Sequence, residues 1–164
     1  MNFLVIGLSA LVPTVTGFIW YNPKVFGTAW IKASGLTEEQ LKSANMPLIL
    51  GLCLLFSLML ATMLNGIVIH QMSVQSIVMG DPDLQDPNSA LSIMLKDFMT
   101  KYGTNFRTFK HGVFHGVIAA VFFALPVLGI NALFERKSFQ YIAIHVGYWA
   151  VTLGLMGGII CQFA

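Results

Sequence analysis

The sequence predicts an all-α integral membrane protein, a four-helix bundle with an amphipathic surface helix between its second and third helices. The 164-residue chain is 56% hydrophobic and only 10% charged, whereas soluble domains are near a quarter charged. Its nine Lys and Arg and seven Asp and Glu residues all fall in three connections. The four stretches between them are uncharged and reach the roughly 20 residues that a membrane crossing needs. A net charge of +2, without a cluster of basic residues, excludes a nucleic-acid partner.

The chain is predicted to form a single transmembrane domain, residues 1–164, whose main partner is the lipid bilayer. In lipid, every backbone N–H and C=O group must be paired within its own segment, so stretches this hydrophobic are predicted to be helices. The predicted spans cover about residues 2–20, 47–69, 112–134 and 138–163.

Two spans are expected to depart from a simple crossing. Pro13 is expected to kink the first, because proline cannot donate a hydrogen bond to the carbonyl of Ser9. The second is expected to continue as one helix to residue 79, since no helix breaker occurs before Gly80. Its end, His70–Met79, would then project into the lipid head groups or beyond them.

The connection between the second and third spans is predicted to hold a surface helix over about residues 88–102. Its apolar side chains recur at helical spacing: Leu91, Met94, Leu95, Phe98, Met99 and Tyr102. Lys96, Asp97 and Lys101 take the other face, so the helix is amphipathic and is expected to lie on the membrane or on a partner. In the first connection, Thr37 and Gln40 predict a capping box that opens a shorter helix.

Four crossings place both termini on the same side of the membrane, here called side A, and the first and third connections on side B. Basic residues are nearly balanced between the two sides, so the positive-inside rule leaves the orientation open. Cys53 lies near side B and Cys161 near side A, too far apart for a disulfide, whose Cα atoms lie within about 7 Å. Both are expected to be buried thiols.

The most distinctive motifs lie near the ends of the spans. They are Trp20-Tyr21-Asn22-Pro23 with Phe26-Gly27, Trp30 and Gly35; Phe106-Arg107-Thr108-Phe109-Lys110-His111-Gly112 with His115-Gly116; and Asn131-Ala132-Leu133-Phe134-Glu135-Arg136 with Gly147-Tyr148-Trp149. Together they resemble a family of uncharacterised bacterial four-helix membrane proteins, catalogued only as a domain of unknown function. The resemblance implies a small protein of the bacterial inner membrane, and it implies no reaction and no catalytic residue.

Three histidines on side A form the first candidate site. His111 and His115 are four residues apart on one helical face, a spacing that lets two imidazoles bind one metal ion. His70 would add a third nitrogen ligand. The alternative is that these histidines only cap backbone carbonyls or contact lipid head groups, so no cofactor is predicted.

Polar and aromatic residues on side B form the second candidate, an interfacial site. Its members are Trp20, Trp30, Asn131, Glu135, Tyr148 and Trp149. Glu135 is expected to pair with Lys24 or Arg136, because an unpaired buried carboxylate is costly. This site would bind a lipid head group or a small amphiphile, or it would only fix the depth of the protein in the membrane through an aromatic belt.

Two pairs of glycines are predicted to mediate helix packing. Gly112 with Gly116, and Gly154 with Gly158, each form a G-x-x-x-G pattern. Such pairs let helices approach closely, either within the fold or in an oligomer.

The sequence contains no nucleotide-binding glycine fingerprint, no nucleophile elbow and no C-x-x-C motif, so an enzyme is not expected. The leading hypothesis is a structural or accessory protein that forms homo-oligomers or packs on a larger membrane complex. One alternative is a protein that binds or transports a small hydrophobic or amphipathic molecule. A third hypothesis is a membrane metal site at the side A histidines.

Overall fold

The computed structural model describes residues 2–164, and all regular secondary structure in that range is helical. Four helical segments are long and apolar enough to cross a membrane. They are Phe3–Trp20, Met46–Val68, Phe109–Phe134 and Phe139–Phe163, called spans 1 to 4 below. The predicted all-α fold with four membrane-length helices is therefore confirmed.

Span 1 is interrupted near its middle. Helix α1 (Phe3–Ser9) and helix α2 (Val12–Trp20) are separated by a turn at Ala10 and Leu11. Pro13 lies in the first turn of α2, where its missing N–H costs least. The interruption therefore falls where the sequence predicts a kink.

The first connection contains three short elements. A π-helical turn covers Pro23–Gly27, and it is followed by α3 (Thr28–Ser34) and α4 (Glu38–Lys42). The capping box expected at the start of α4 is confirmed, because Gln40 N donates to Thr37 Oγ1 at 3.2 Å while Thr37 N donates to Gln40 Oε1 at 2.9 Å.

Span 2 ends earlier than the sequence predicts. Helix α5 (Met46–Val68) stops before Ile69, whose backbone is extended (φ −107°, ψ 91°), and a separate helix α6 covers Gln71–Ile77. The expectation of one continuous helix to residue 79 is therefore wrong. Ile69 is only 4% exposed, and the Cys161 thiol lies 3.3 Å from the carbonyl of Val68. These tertiary contacts compensate the helical hydrogen bonds that the break removes.

The second connection begins with a short 3-10 helix, Pro82–Gln85, and continues into α7 (Ala90–Tyr102). Helix α7 lies within the interval predicted for the surface helix. Gln71 Nε2 donates to the carbonyls of Tyr102 and Asn105 at 3.1 and 2.8 Å, which ties the start of α6 to the end of α7.

Span 3 consists of α8 (Phe109–Ala119), a π-helical turn at Ala120–Ala124, and α9 (Leu125–Phe134). The wide turn comes just before Pro126, which has no N–H to continue an α-helical ladder. Span 4 is the single helix α10 (Phe139–Phe163). It is the central helix, since 56% of its most apolar stretch is buried against only 11% for span 3.

Glycines allow spans 3 and 4 to approach closely. A Cβ atom on Gly112 would overlap the carbonyl oxygen of Gly157, and one on Gly116 would overlap that of Leu153. A Cβ on Gly158 would lie 2.6 Å from the Phe109 ring, whereas one on Gly154 would make an ordinary contact with the Val117 side chain at 3.4 Å. The first predicted glycine pair thus lies at the tightest part of this interface.

Candidate functional site

An apolar pocket of about 440 Å³ lies between spans 1, 2 and 4 and is open on one side. Span 1 contributes Pro13, Thr14, Gly17 and Phe18, and Tyr21 lies directly after its end. Span 2 contributes Leu50, Cys53, Phe56, Ser57 and Leu60, and span 4 contributes His145, Tyr148 and Trp149. Cys53 is exposed here rather than buried, which corrects the expectation that both cysteines lie in the core.

Three hydrogen bonds join spans 1 and 4, which form two of the walls of the pocket. The Tyr148 hydroxyl donates to the carbonyl of Pro13 at 2.8 Å. The hydroxyl oxygens of Thr16 and Thr152 are 2.8 Å apart. At the other end of α2, the indole N–H of Trp20 donates to the carbonyl of Ile144 at 3.1 Å. Because these bonds lie in an apolar setting, they fix the separation of the two spans.

Tyr21 and His145 form the polar end of the pocket. The Tyr21 hydroxyl oxygen lies 3.0 Å from Nδ1 of His145. Burial raises the pKa of Tyr21 above its usual value, and the neighbouring hydroxyls of Tyr148 and Tyr141 act in the same direction, so Tyr21 keeps its proton. Within residues 2–164 that O–H has no other acceptor. The direction of this hydrogen bond follows the tautomer of His145, whose other ring nitrogen, Nε2, is buried without a partner.

Two of the six residues predicted for the side B site, Trp30 and Tyr148, pack against Tyr21. The ring centroids of Trp30 and Tyr148 lie 5.3 and 5.2 Å from that of Tyr21, and Trp149 lies 5.0 Å from Tyr148. Trp20 instead packs against Phe26, at 4.4 Å between centroids. Only Tyr148 and Trp149 of the predicted set line the pocket itself.

The other two predicted residues, Asn131 and Glu135, are exposed at the end of span 3. The expected ion pair of Glu135 with Lys24 or Arg136 is wrong. Within residues 2–164 the one ion pair joins Lys42 to Glu38, at 3.3 Å. Since the Glu135 carboxylate is exposed, it is not the buried charge for which a partner would be required.

The three predicted side A histidines do come together. His70 follows the break after α5, and His111 and His115 lie on the first turns of α8. Their ring centroids are 4.5 Å apart for His111 and His115, 4.8 Å for His70 and His115, and 4.9 Å for His70 and His111. One ring nitrogen of each histidine lies within 4.8 Å of the other two.

The segment before α8 covers one side of this histidine cluster. The Phe106 ring stacks on His111, at 5.2 Å and 30°, although its backbone has the unusual φ of 61°. The carbonyl of Phe106 lies 3.3 Å from the Cys161 thiol. Arg107 donates to the carbonyls of Cys161 and Ala164 at 2.7 and 2.9 Å. The end of span 4 thus anchors the segment that carries Phe106.

Both sites lie in the part of the chain that matches a known family. The model of the family described as "Protein of unknown function (DUF1761)" matches residues 4–161. The chain belongs to this family. The membership in a family of unknown function that the sequence motifs imply is therefore confirmed. No curated protein and no solved structure matches this DUF1761 protein.

Sequence reasoning missed two groups in this DUF1761 protein. Tyr21 was part of a motif, but nothing in the sequence indicated its contact with His145, 124 residues away. Cys53 and Ser57 are two uncharged residues in an apolar span, and no periodicity distinguishes a pocket wall from a lipid-facing surface. The histidine cluster, in contrast, was detectable because two members share one helical face.

Proposed function

We propose that this protein binds a small amphipathic molecule in the pocket between spans 1, 2 and 4. The observation that carries this proposal is the pocket itself, at about 440 Å³. Small-molecule sites typically measure about 300–1,000 Å³ and combine apolar walls with a few polar groups. Phe18, Phe56 and Trp149 supply such walls, and Tyr21 with His145 supplies the polar end.

The dimensions favour a ligand with a short apolar body. At a rise of 1.5 Å per residue, the pocket follows span 1 from Pro13 to Tyr21 for about 12 Å. This is less than half of a hydrocarbon core of about 30 Å. Because the lining residues come from membrane-length helices, the ligand would enter from the lipid, with its polar head towards Tyr21.

This proposal includes a particular arrangement in the membrane. The four spans would form a bundle in the bacterial inner membrane with both termini on the same side, and α7 would lie on the membrane surface as an amphipathic helix. Exposed apolar side chains on one face of α7 support that position: Met94 is 59% exposed, Phe98 39% and Tyr102 37%. An apolar face of this kind inserts into the head-group region.

The structural or accessory role stays a prediction from the sequence, as does association with a second copy or a larger complex. Span 3 exposes large side chains such as Phe122 and Phe134, at 76% and 87%. On a membrane span such side chains contact lipid as readily as a partner protein. Their exposure therefore does not favour the accessory role over ligand binding in the pocket.

The proposal is tested with bromododecanol, an amphiphile whose bromine quenches tryptophan fluorescence. The full-length protein in mild detergent is titrated, and we expect a saturable component of quenching from Trp149 in the pocket wall. Cys53→Phe should remove that component because it fills the pocket. Leu55→Phe is the matched control, since Leu55 lies on the same helix, is 52% exposed and does not line the pocket.

Two results would refute ligand binding in the pocket. One is quenching that rises linearly with concentration in the wild-type protein, as simple partition into detergent gives. The other is a saturable component that Cys53→Phe and Leu55→Phe retain equally.

A further inference from the structure

We propose that His70, His111 and His115 bind one divalent transition-metal ion of the zinc type. This site would be separate from the pocket. Cys161 contacts the segment that covers the histidines, and His145 lines the pocket. These two residues are about 24 Å apart along α10, at 1.5 Å per residue. The two sites can therefore be tested independently.

The positions of the ring nitrogens are close to those a metal requires. Zinc binds imidazole nitrogens at about 2.0–2.1 Å in a tetrahedral arrangement, which places two such nitrogens about 3.4 Å apart. In the structure, the three candidate ligand atoms lie within 4.8 Å of one another. Each pair has to approach by at most about 1.4 Å, a movement that small side-chain rotations supply without backbone change.

The donor set favours some ions over others. The cluster offers three imidazoles, with neither carboxylate nor thiolate among its members. Imidazole suits Zn²⁺, Cu²⁺ and Ni²⁺, whereas Ca²⁺ and Mg²⁺ prefer oxygen ligands. Three protein ligands leave one tetrahedral position open, as in zinc sites that bind water or a substrate. His70 is exposed, so the open position would be reached from that side.

An unpartnered nitrogen provides a second, independent observation. His111 Nε2 is buried and has no hydrogen-bond partner within residues 2–164. Most buried polar atoms in proteins have a partner, and each exception requires an explanation. A metal ion held among the three rings would give the unpaired imidazole its partner.

The backbone around the cluster is arranged unusually. The break at Ile69 ends α5, so that His70 projects towards α8 instead of continuing a helix. Phe106 keeps a φ of 61°, a conformation that bulky residues rarely adopt, and its ring stacks on His111. Backbone strain of this kind persists where surrounding contacts enforce it and is frequent at ligand sites.

The competing explanation is that the rings only pack on one another. Substitution of His115 by Phe separates the two explanations, because Phe keeps an aromatic ring in the stack but offers no ligand nitrogen. The matched control is His145→Ala, which removes the one histidine outside the cluster.

The experiment uses the full-length protein in detergent, stripped with a chelator, dialysed and titrated with ZnCl₂. Bound zinc per chain is measured by elemental analysis after desalting, and affinity by calorimetry. We expect one zinc ion per wild-type chain, and a Tm that rises with zinc. His70→Ala and His115→Phe should bind zinc at least tenfold more weakly, whereas His145→Ala should bind it as the wild type does. Tetrahedral Co²⁺ absorption bands should appear in the wild type and be absent from His115→Phe.

Three results would overturn the proposal. They are less than about one tenth of a zinc ion per wild-type chain after titration, zinc binding by His115→Phe equal to the wild type, and an equal loss in His145→Ala. If His70→Ala fails to fold, His115→Phe decides, since it preserves the stacked rings. The bromododecanol titration should be unchanged in His115→Phe, so failure of the metal site and failure of the pocket are distinguishable.

Discussion

The contact between spans 3 and 4 at Gly116 gives the sharpest prediction about stability. Gly116→Ala places a methyl group against the backbone carbonyl of Leu153. That carbonyl belongs to the central helix and cannot rotate away as the end of a side chain would. The substitution must therefore push the two helices apart.

The expected magnitude follows from two opposing effects. Carbon-to-oxygen contacts require at least about 3.3 Å, so spans 3 and 4 have to separate locally by about 1 Å. Overpacking of this kind costs about 1–3 kcal/mol, and the upper end applies because both partners are backbone. Alanine is better than glycine in a helix by about 1 kcal/mol. We expect a net loss of about 2 kcal/mol in the free energy of unfolding.

The assay is reversible unfolding in mixed micelles with increasing sodium dodecyl sulfate, followed by the fluorescence of the three tryptophans. Gly66→Ala is the matched control, because Gly66 lies in the second half of α5 and a Cβ there meets nothing within 4 Å. This control should be neutral or slightly stabilising, by up to about 1 kcal/mol.

The reasoning fails if Gly116→Ala is as stable as Gly66→Ala, or more stable than the wild type. Either result would mean that the helices in solution are farther apart than the structure places them. Loss of helix content in Gly116→Ala, measured by circular dichroism, would instead indicate an effect beyond the local separation of two spans.

Two further predictions use the same unfolding assay. Tyr148→Phe removes the hydrogen bond to the Pro13 carbonyl and should cost about 1 kcal/mol; unchanged stability would show that this bond contributes nothing. Arg136→Gly should stabilise the protein by about 0.5–1 kcal/mol, because Arg136 is exposed and has a φ of 56° that glycine adopts without strain. A destabilised Arg136→Gly would indicate a role for the side chain that the described contacts do not show.

The parts of the fold that were predictable depend on local chemistry. A helix in lipid must satisfy its own backbone, so uncharged stretches alone identified the four spans. The capping box at Thr37 and the interruption beside Pro13 likewise involve groups within four residues of each other. No distant part of the chain is needed to decide either feature.

The pocket could not be predicted in detail because its shape depends on distant pairs. Tyr148 meets Pro13, and Tyr21 meets His145, across more than 120 residues of sequence. Aromatic residues near span ends indicated an interfacial site, but they also fit a plain aromatic belt. Asn131 and Glu135 were predicted to belong to this interfacial site. In the structure they are exposed at the end of span 3 and do not line the pocket.

The histidine cluster shows how one wrong prediction about secondary structure affects a site. A helix continuous to residue 79 would direct the Val68 carbonyl to the N–H of Met72, four residues on. In the structure that carbonyl instead lies beside the Cys161 thiol of span 4, and Met72 N donates to Ile69. The contact with span 4 thus helps α5 to end at Val68. Because α5 ends there, His70 is directed towards His111 and His115. The pair on α8 was visible from spacing alone, whereas the position of His70 depends on a thiol located 93 residues from the carbonyl that it contacts.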